Sequence, residues 1–252
     1  MPALSVVIIT KNEAQTITAC LASVAGLADD IVVLDSGSTD ETRALCEAVG
    51  ARVFSTDWPG FGPQKNRAVA AALNDWVLCL DADERVTPAL AASIRQALAA
   101  PAAVAYCFPR SNRFLGRYLR HGEGYPDWSL RLFDRRHARW SDDPVHEKVV
   151  TAGPVQRLRG DLLHDTADTL DSYLAKQNRY TSLAAADALR RGKRASAIRM
   201  LLAPAVRFIK FYVVRRGFLD GMPGLVHIAI GCINSFIKYA KIREGQASRD
   251  RA

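Results

Sequence analysis

An α/β fold with a mostly parallel sheet is predicted by three features of the chain. Continuous β-branched runs recur, segments of helical period separate them, and carboxylates stand just past the runs' carboxyl ends. A strand buried on both faces reads as an unbroken apolar run, without polar alternation. Strands alternating with helices require right-handed crossovers and helical layers on both faces of the sheet.

The elements follow in order. Residues 4–10, Leu-Ser-Val-Val-Ile-Ile-Thr, form the first buried strand. Asn12 or Thr16 can cap the next helix, whose apolar positions Ile17, Leu21 and Val24 fall at helical spacing. Residues 31–35, ending in Asp35, are a second strand, and Ser36-Gly-Ser-Thr-Asp40 is a polar turn opening a helix through Leu45 and Val49. Residues 52–55 are a third strand, and Pro63 begins a helix running through Ala68 to Leu73. The fourth strand, Trp76-Val-Leu-Cys-Leu, ends in Asp81-Ala-Asp83.

That last motif carries the most chemistry. Side chains on a strand alternate faces, so Asp81 and Asp83 can point the same way from its carboxyl end, the edge where ligands of open α/β sheets collect. Two carboxylates side by side are costly unless a cation sits between them, and a hard divalent ion bridging phosphate oxygens suits that place. An Asp-x-Asp is also a common solvated turn, and the surrounding motifs decide between the two.

Ser5-Val-Val-Ile-Ile-Thr-Lys-Asn-Glu13, Asp35-Ser-Gly-Ser-Thr-Asp40 and Asp81-Ala-Asp83 resemble, in order and spacing, the successive motifs of the family 2 glycosyltransferases, which share the GT-A fold. The stretches Tyr125-Pro-Asp-Trp-Ser-Leu-Arg-Leu-Phe133, Val145-His-Glu147 and Arg216-Gly-Phe-Leu-Asp-Gly221 are similar to the branch that includes bacterial lipopolysaccharide inner-core β-1,4-glucosyltransferases. Asp35 departs from the pattern by standing without a second aspartate beside it.

The resemblance implies a role for each site. Asp35 and Ser36 would hold the base or ribose of a UDP-sugar, with Thr10 and Glu13 beside the same crevice. Glu13 in a first helical turn also favours the helix dipole without any ligand. Asp83 would bind Mg²⁺ or Mn²⁺ directly, with Asp81 reaching the ion through water or touching the ribose. Lys65 and Arg67, near a helix start, could assist the diphosphate, although a solvated helix face explains either one. Asp127 would be the base that takes the acceptor's proton, with Glu123 as its rival; the bland alternative for Asp127 is a loop acid paired with Arg131. His146, expected on a strand, would reach the metal or diphosphate.

Composition sets further bounds. The chain has 252 residues, 49% of them hydrophobic, enough for a full core. Five scattered cysteines show neither zinc spacing nor a disulfide framework, which suits a reducing compartment. Met1 leads almost at once into the first strand, so no secretory leader is expected. The net charge of +8 is uneven: residues 188–219 hold nine Lys or Arg and no acid, leaving the remainder at −1. A nucleic-acid partner is therefore not expected. At about 100° per residue Arg199, Arg207 and Lys210 share an arc of roughly 80°. A basic, partly amphipathic helix of this kind can lie on an anionic bilayer, or it can pack across the interface of a homodimer. From Gly221 to Ile237 no residue is charged, a length marginal for spanning a bilayer.

The sequence thus predicts a GT-A catalytic domain over 1–165, a helical membrane-associating region over 166–244 and a polar tail over 245–252. The expected activity is inverting transfer of a hexose, glucose by resemblance, from a UDP-sugar to a lipid-linked saccharide, at the cytoplasmic face of the inner membrane as a peripheral protein. The acceptor by resemblance is an inner-core heptose of lipopolysaccharide, with another polyprenyl- or lipid-linked glycan as the alternative. A sugar-nucleotide pyrophosphorylase would usually carry a glycine- and arginine-rich loop after the first strand, where Thr10-Lys-Asn-Glu13 has no glycine. A non-catalytic membrane-binding module is the third class, and metal-dependent UDP binding would exclude most versions of it.

Overall fold

The computed structural model describes residues 2–143, 147–165 and 169–249. The chain runs β1 (Leu4–Thr10), α1 (Ile17–Val24), β2 (Asp30–Asp35), α2 (Thr42–Ala48), β3 (Arg52–Ser55), α3 (Phe61–Ala70) and β4 (Trp76–Asp81). Then come β5 (Glu84–Val86), α4 (Pro88–Ala99), β6 (Ala105–Phe114), β7 (Arg117–Tyr118), β8 (Asp127–Asp134), β9 (Ala138–Trp140), β10 (Val149–Thr151), β11 (Val155–Arg157) and β12 (Leu162–His164). Three long helices follow: α5 (Leu170–Arg190), α6 (Ala197–Phe208) and α7 (Gly221–Arg249).

It divides into two compact units, one of residues up to Ser111 together with Asp127–Asp165, the other of Asn112–Pro126 with the C-terminal helices. The segment 112–126 therefore belongs with the second unit and not with a continuous 1–165. Its reason is burial: Phe114 and Leu119 pack with Ile230 of α7.

In the first unit the sheet order is β3-β2-β1-β4-β8-β6-β12-β5. The β3, β2, β1 and β4 strands are parallel, and β8 joins β4 antiparallel. Both faces of β1 are buried. Leu4, Val6 and Ile8 meet Ile17, Leu21 and Val24 of α1 and Leu90, Ile94 and Leu98 of α4, while Val7 and Ile9 face Ala68 and Val69 of α3 and Trp140. Each fully buried aliphatic of this kind contributes roughly 1.5–3 kcal/mol, which is why the run tolerates no polar alternation.

The helix starts differ in detail from the sequence reading. Thr16 is the cap residue of α1, but its hydroxyl turns to Glu13 Oε2 (2.6 Å). Asn12 has φ +56° and accepts from the Thr39 N–H at 2.8 Å, tying the first loop to the second. Helix α3 begins at Phe61, two residues before Pro63, after Gly60 at φ +111°. No side chain fits at Gly62: a Cβ there would lie 2.1 Å from the Ser141 carbonyl oxygen.

In the second unit α5 and α7 pack through Ala185, Leu189 and Ile242. The expected polar tail from Gly245 instead continues α7 to Arg249. Gly245 packs so closely that a Cβ would sit 2.4 Å from Leu189 Cδ1. Between α6 and α7 lie a π-helical stretch, Ile209–Val214, and a 3-10 turn, Gly217–Asp220.

Candidate active site

The carboxyl ends of β1, β2 and β4 gather the acidic groups. β4 stops at Asp81, and Ala82 and Asp83 form a turn before β5. The strand-parity expectation for Asp81 and Asp83 therefore fails, because Asp83 is no longer on the strand, and the two carboxylates take different partners. Asp81 lies 2.8 Å from Arg131 Nη2 and 3.0 Å from Lys65 Nζ. Asp83 Oδ2 lies 3.1 Å from His164 Nε2. Antiparallel pairing of β12 with β5 sets His164 opposite Glu84, and the Asp165 N–H donates to the Asp83 carbonyl at 2.9 Å.

Glu84, which the sequence reading did not single out, is wholly buried. It accepts from the Asp81 N–H (3.0 Å), Arg131 (3.0 Å) and Arg110 (3.3 Å). Arg110 in turn holds Asp127 at 2.8 Å, its cross-strand partner in the β6–β8 register. Asp127 is thus paired with Arg110 and not Arg131. Lys65 completes the series, 2.9 Å from Glu147 and 4.6 Å over the Trp140 ring. Seven charges alternate in sign from Asp127 through Arg110, Glu84, Arg131, Asp81 and Lys65 to Glu147.

The pairing explains the electrostatics. Burial alone would raise the Asp81 carboxyl, but Arg131 and Lys65 outweigh it and hold it well below the usual carboxylate range. Arg131 is correspondingly pushed up: burial opposes its charge, and Asp81 and Glu84 more than compensate. Lys65 is only 4% exposed and committed to two carboxylates, so it is neither a solvated helix-face residue nor a free cation. Arg67 does sit in solvent, paired with Asp57 at 2.6 Å.

On the adjacent loops, Thr10 and Ser36 are buried and Asp35 is 1% exposed. Asp35 accepts from the Ser38 N–H at 3.0 Å and from the Ser38 hydroxyl, so its carboxylate shapes the second loop. Ser36 Oγ accepts from Gln64 Nε2 at 3.0 Å. Among the described residues the buried Thr10 Oγ1 and Gln64 Oε1 have no hydrogen-bond partner. Gln64 was another residue the sequence reading missed. Glu13 is raised chiefly by burial, opposed by the Thr16 hydrogen bond, with repulsion from Asp83, Asp40 and Asp81 added.

Glu123 lies in the second unit. Both its carboxylate oxygens are taken by Arg207, with Nε to Oε2 at 3.0 Å and Nη2 to Oε1. His146 lies outside the described residues, and Glu147 precedes β10 without being on a strand.

Among the described residues no three acidic, histidine or cysteine groups cluster in a ready-made metal cage. Asp83 and His164 nevertheless fit a divalent ion: two adjacent octahedral donors at about 2.1 Å from a metal stand about 3 Å apart, as these do. Substrate oxygens and water would fill the other positions.

The parallel sheet with its helical layers and acidic strand ends is that of a GT-A glycosyltransferase. The profile of glycosyl transferase family 2 matches residues 5–157, and the chain belongs to that family. It is 30% identical to a lipopolysaccharide core biosynthesis glycosyltransferase, LpsC, of Rhizobium meliloti, over 98% of this chain and 94% of the relative. An uncharacterized glycosyltransferase of Rickettsia felis is also 30% identical, over 97% and 90%. Among solved structures, S. aureus TarS 1-349 aligns over 98% of this chain and 91% of that one, with a TM-score of 0.50 and 13% identity.

Proposed function

We propose that this glycosyltransferase moves a hexose, glucose by family likeness, from a UDP-sugar with inversion onto a lipid-linked saccharide, the inner-core heptose region of lipopolysaccharide. The observation that carries the reading is the Asp83–His164 pair at metal-ligand separation, beside the charge-locked chain that ends in Asp127. The name of the Rhizobium meliloti relative supports the acceptor class.

Each residue then has a task. Asp83 and His164 would hold Mg²⁺ or Mn²⁺, which when bound supplies positive charge against the diphosphate leaving group. Asp81, fixed by Arg131 and Lys65, is within the same edge to touch ribose or a metal-bound water. Thr10, Asp35 and Ser36 line the nucleoside side. Asp127 accepts the acceptor hydroxyl's proton at its partly exposed carboxylate, while Arg110 fixes its orientation.

The second unit supports a peripheral site on an anionic membrane. Ile198, Leu202, Val206, Ile209 and Val213 are each more than half exposed and recur at helical spacing along α6 and its π-helical continuation. The helix over 217–247 is also long and apolar enough, by length and composition, to cross a membrane. Surface docking is the better fit of the two, because the exposed stripe is flanked by cations, as on an interfacial helix.

The test is UDP release from UDP-glucose with membrane extract as acceptor, with and without EDTA. Activity should vanish in EDTA, return with Mn²⁺ or Mg²⁺, and be absent in Asp83→Ala protein that retains its circular dichroism. Normal turnover in either case would sink the metal-dependent reading.

A further inference from the structure

The second unit holds an open groove of about 670 Å³ along α6, with Tyr239 of α7 among the residues that line it. Its walls are of two kinds. Ile198, Leu202 and Val206 form an aliphatic side that is open to solvent. Arg199, Arg207 and Lys210 form a cationic side, and among the described residues no acid lines the groove.

The cations are gathered by the helix itself. Regular α-helix ends at Phe208 and the π-helical stretch begins at Ile209, so Lys210 and Phe211 are displaced from the positions a continuing α-helix would give them. Arg207 and Lys210 lie 5.7 and 5.2 Å from the centroid of the one Phe211 ring. Wide turns of this kind are costly and tend to be kept where they serve a site. Glu123 neutralises Arg207, whereas among the described residues Arg199 and Lys210 form no ion pair. The site therefore carries uncompensated positive charge beside an apolar wall.

We infer that this groove binds one anionic phospholipid, its phosphate among Arg199, Arg207 and Lys210 and one acyl chain along Ile198, Leu202 and Val206. A free phosphate would use only the cationic side, and a neutral lipid only the aliphatic one. A guanidinium offers a phosphate two parallel N–H donors, so Arg207 can exchange Glu123 for the headgroup. The inference rests on the membrane-docking reading above and sharpens it from a charged surface to a stoichiometric site.

The experiment titrates full-length protein calorimetrically with dihexanoyl-phosphatidylglycerol kept below its micelle concentration. Dihexanoyl-phosphatidylcholine and inorganic phosphate serve as comparison ligands. Saturable one-to-one binding of the phosphatidylglycerol is expected, at least about tenfold tighter than either comparison ligand. The double variant Arg199→Gln, Lys210→Gln and the single variant Leu202→Ser should each weaken it by about tenfold while circular dichroism is unchanged. Equal binding of inorganic phosphate, or no binding of the short-chain lipid, overturns the site. Pelleting with phosphatidylcholine vesicles, with and without phosphatidylglycerol, separates the two readings. Vesicle binding without monomeric-lipid binding leaves surface docking standing and removes the groove. Failure of both, with sedimentation showing a dimer, assigns the face to a second copy of the chain.

Discussion

Asp127 is held by Arg110 before any substrate arrives, which fixes what its removal should do. Asp127→Asn keeps the shape and loses the proton acceptor, so turnover should fall by roughly a hundredfold or more with UDP-sugar affinity little changed. Glu123→Gln, which breaks only the pair with Arg207, should retain far more turnover on the same acceptor. Steady-state kinetics of the two variants side by side would show the reverse if Glu123 were the base. Asp81 makes a separate, pH-dependent contribution. Its folded-state pKa lies below the unfolded value near 4, so its stabilisation is fully present above about pH 4 and is lost as pH falls further. Asp81→Asn should cost about 3 kcal/mol at neutral pH, since it strands Arg131 and Lys65 beside too little negative charge. It should also flatten the decline of urea stability as pH falls from about 4 toward about 2. An unaltered decline would mean other carboxylates control acid unfolding.

The 3-10 turn ahead of α7 shows the same logic in a loop. Asp220 is 1% exposed and accepts from the Arg120 N–H (3.0 Å), the His121 N–H (2.8 Å) and His121 Nδ1 (3.1 Å). Gly217 lies against the loop so closely that a Cβ would meet the Phe211 carbonyl oxygen at 2.8 Å and Gly122 Cα at 3.3 Å. Asp220→Ala leaves two backbone donors without a partner and should cost about 2–4 kcal/mol. Asp220→Asn should recover part of that loss. Hydrogen exchange at the Arg120 and His121 amides is the direct measure, and unchanged protection would show that the loop is held otherwise. The Arg216–Gly221 motif was visible in the sequence, but its partner lies 100 residues earlier, beyond any local pattern. The same holds at the active site. Residues 4–10 and 76–81 announce themselves because burial on both faces demands an apolar run. Glu84, Arg110 and His164 do not, because antiparallel pairings of β6–β8 and β5–β12 bring them together. Strand parity failed at Asp83 for a nearby reason: the strand had already ended.

Charge is distributed as unevenly in space as in sequence, with the nine cations of residues 188–219 all in the second unit. Each basic group near an anionic bilayer contributes about 1 kcal/mol, attenuated beyond a Debye length of about 8 Å at physiological salt. Co-sedimentation with vesicles containing phosphatidylglycerol should therefore fall steeply as sodium chloride is raised toward about 1 M, where the screening length is about 3 Å. Partitioning insensitive to salt would point instead to insertion of the apolar helix over 217–247.

The alternating chain from Asp127 to Glu147 bears on how such an enzyme can change over time. Neutralising Glu84 alone leaves Arg110 with Asp127 and Arg131 with Asp81 as their remaining partners, and neutralising Arg131 alone leaves Glu84 with Arg110 and Asp81 with Lys65. Each exchange inside the chain thus unbalances two neighbours at once, so its members are expected to change together. Specificity for donor or acceptor is freer to evolve on the loops around the chain, and a redesign of this active site should treat those seven side chains as one inherited block.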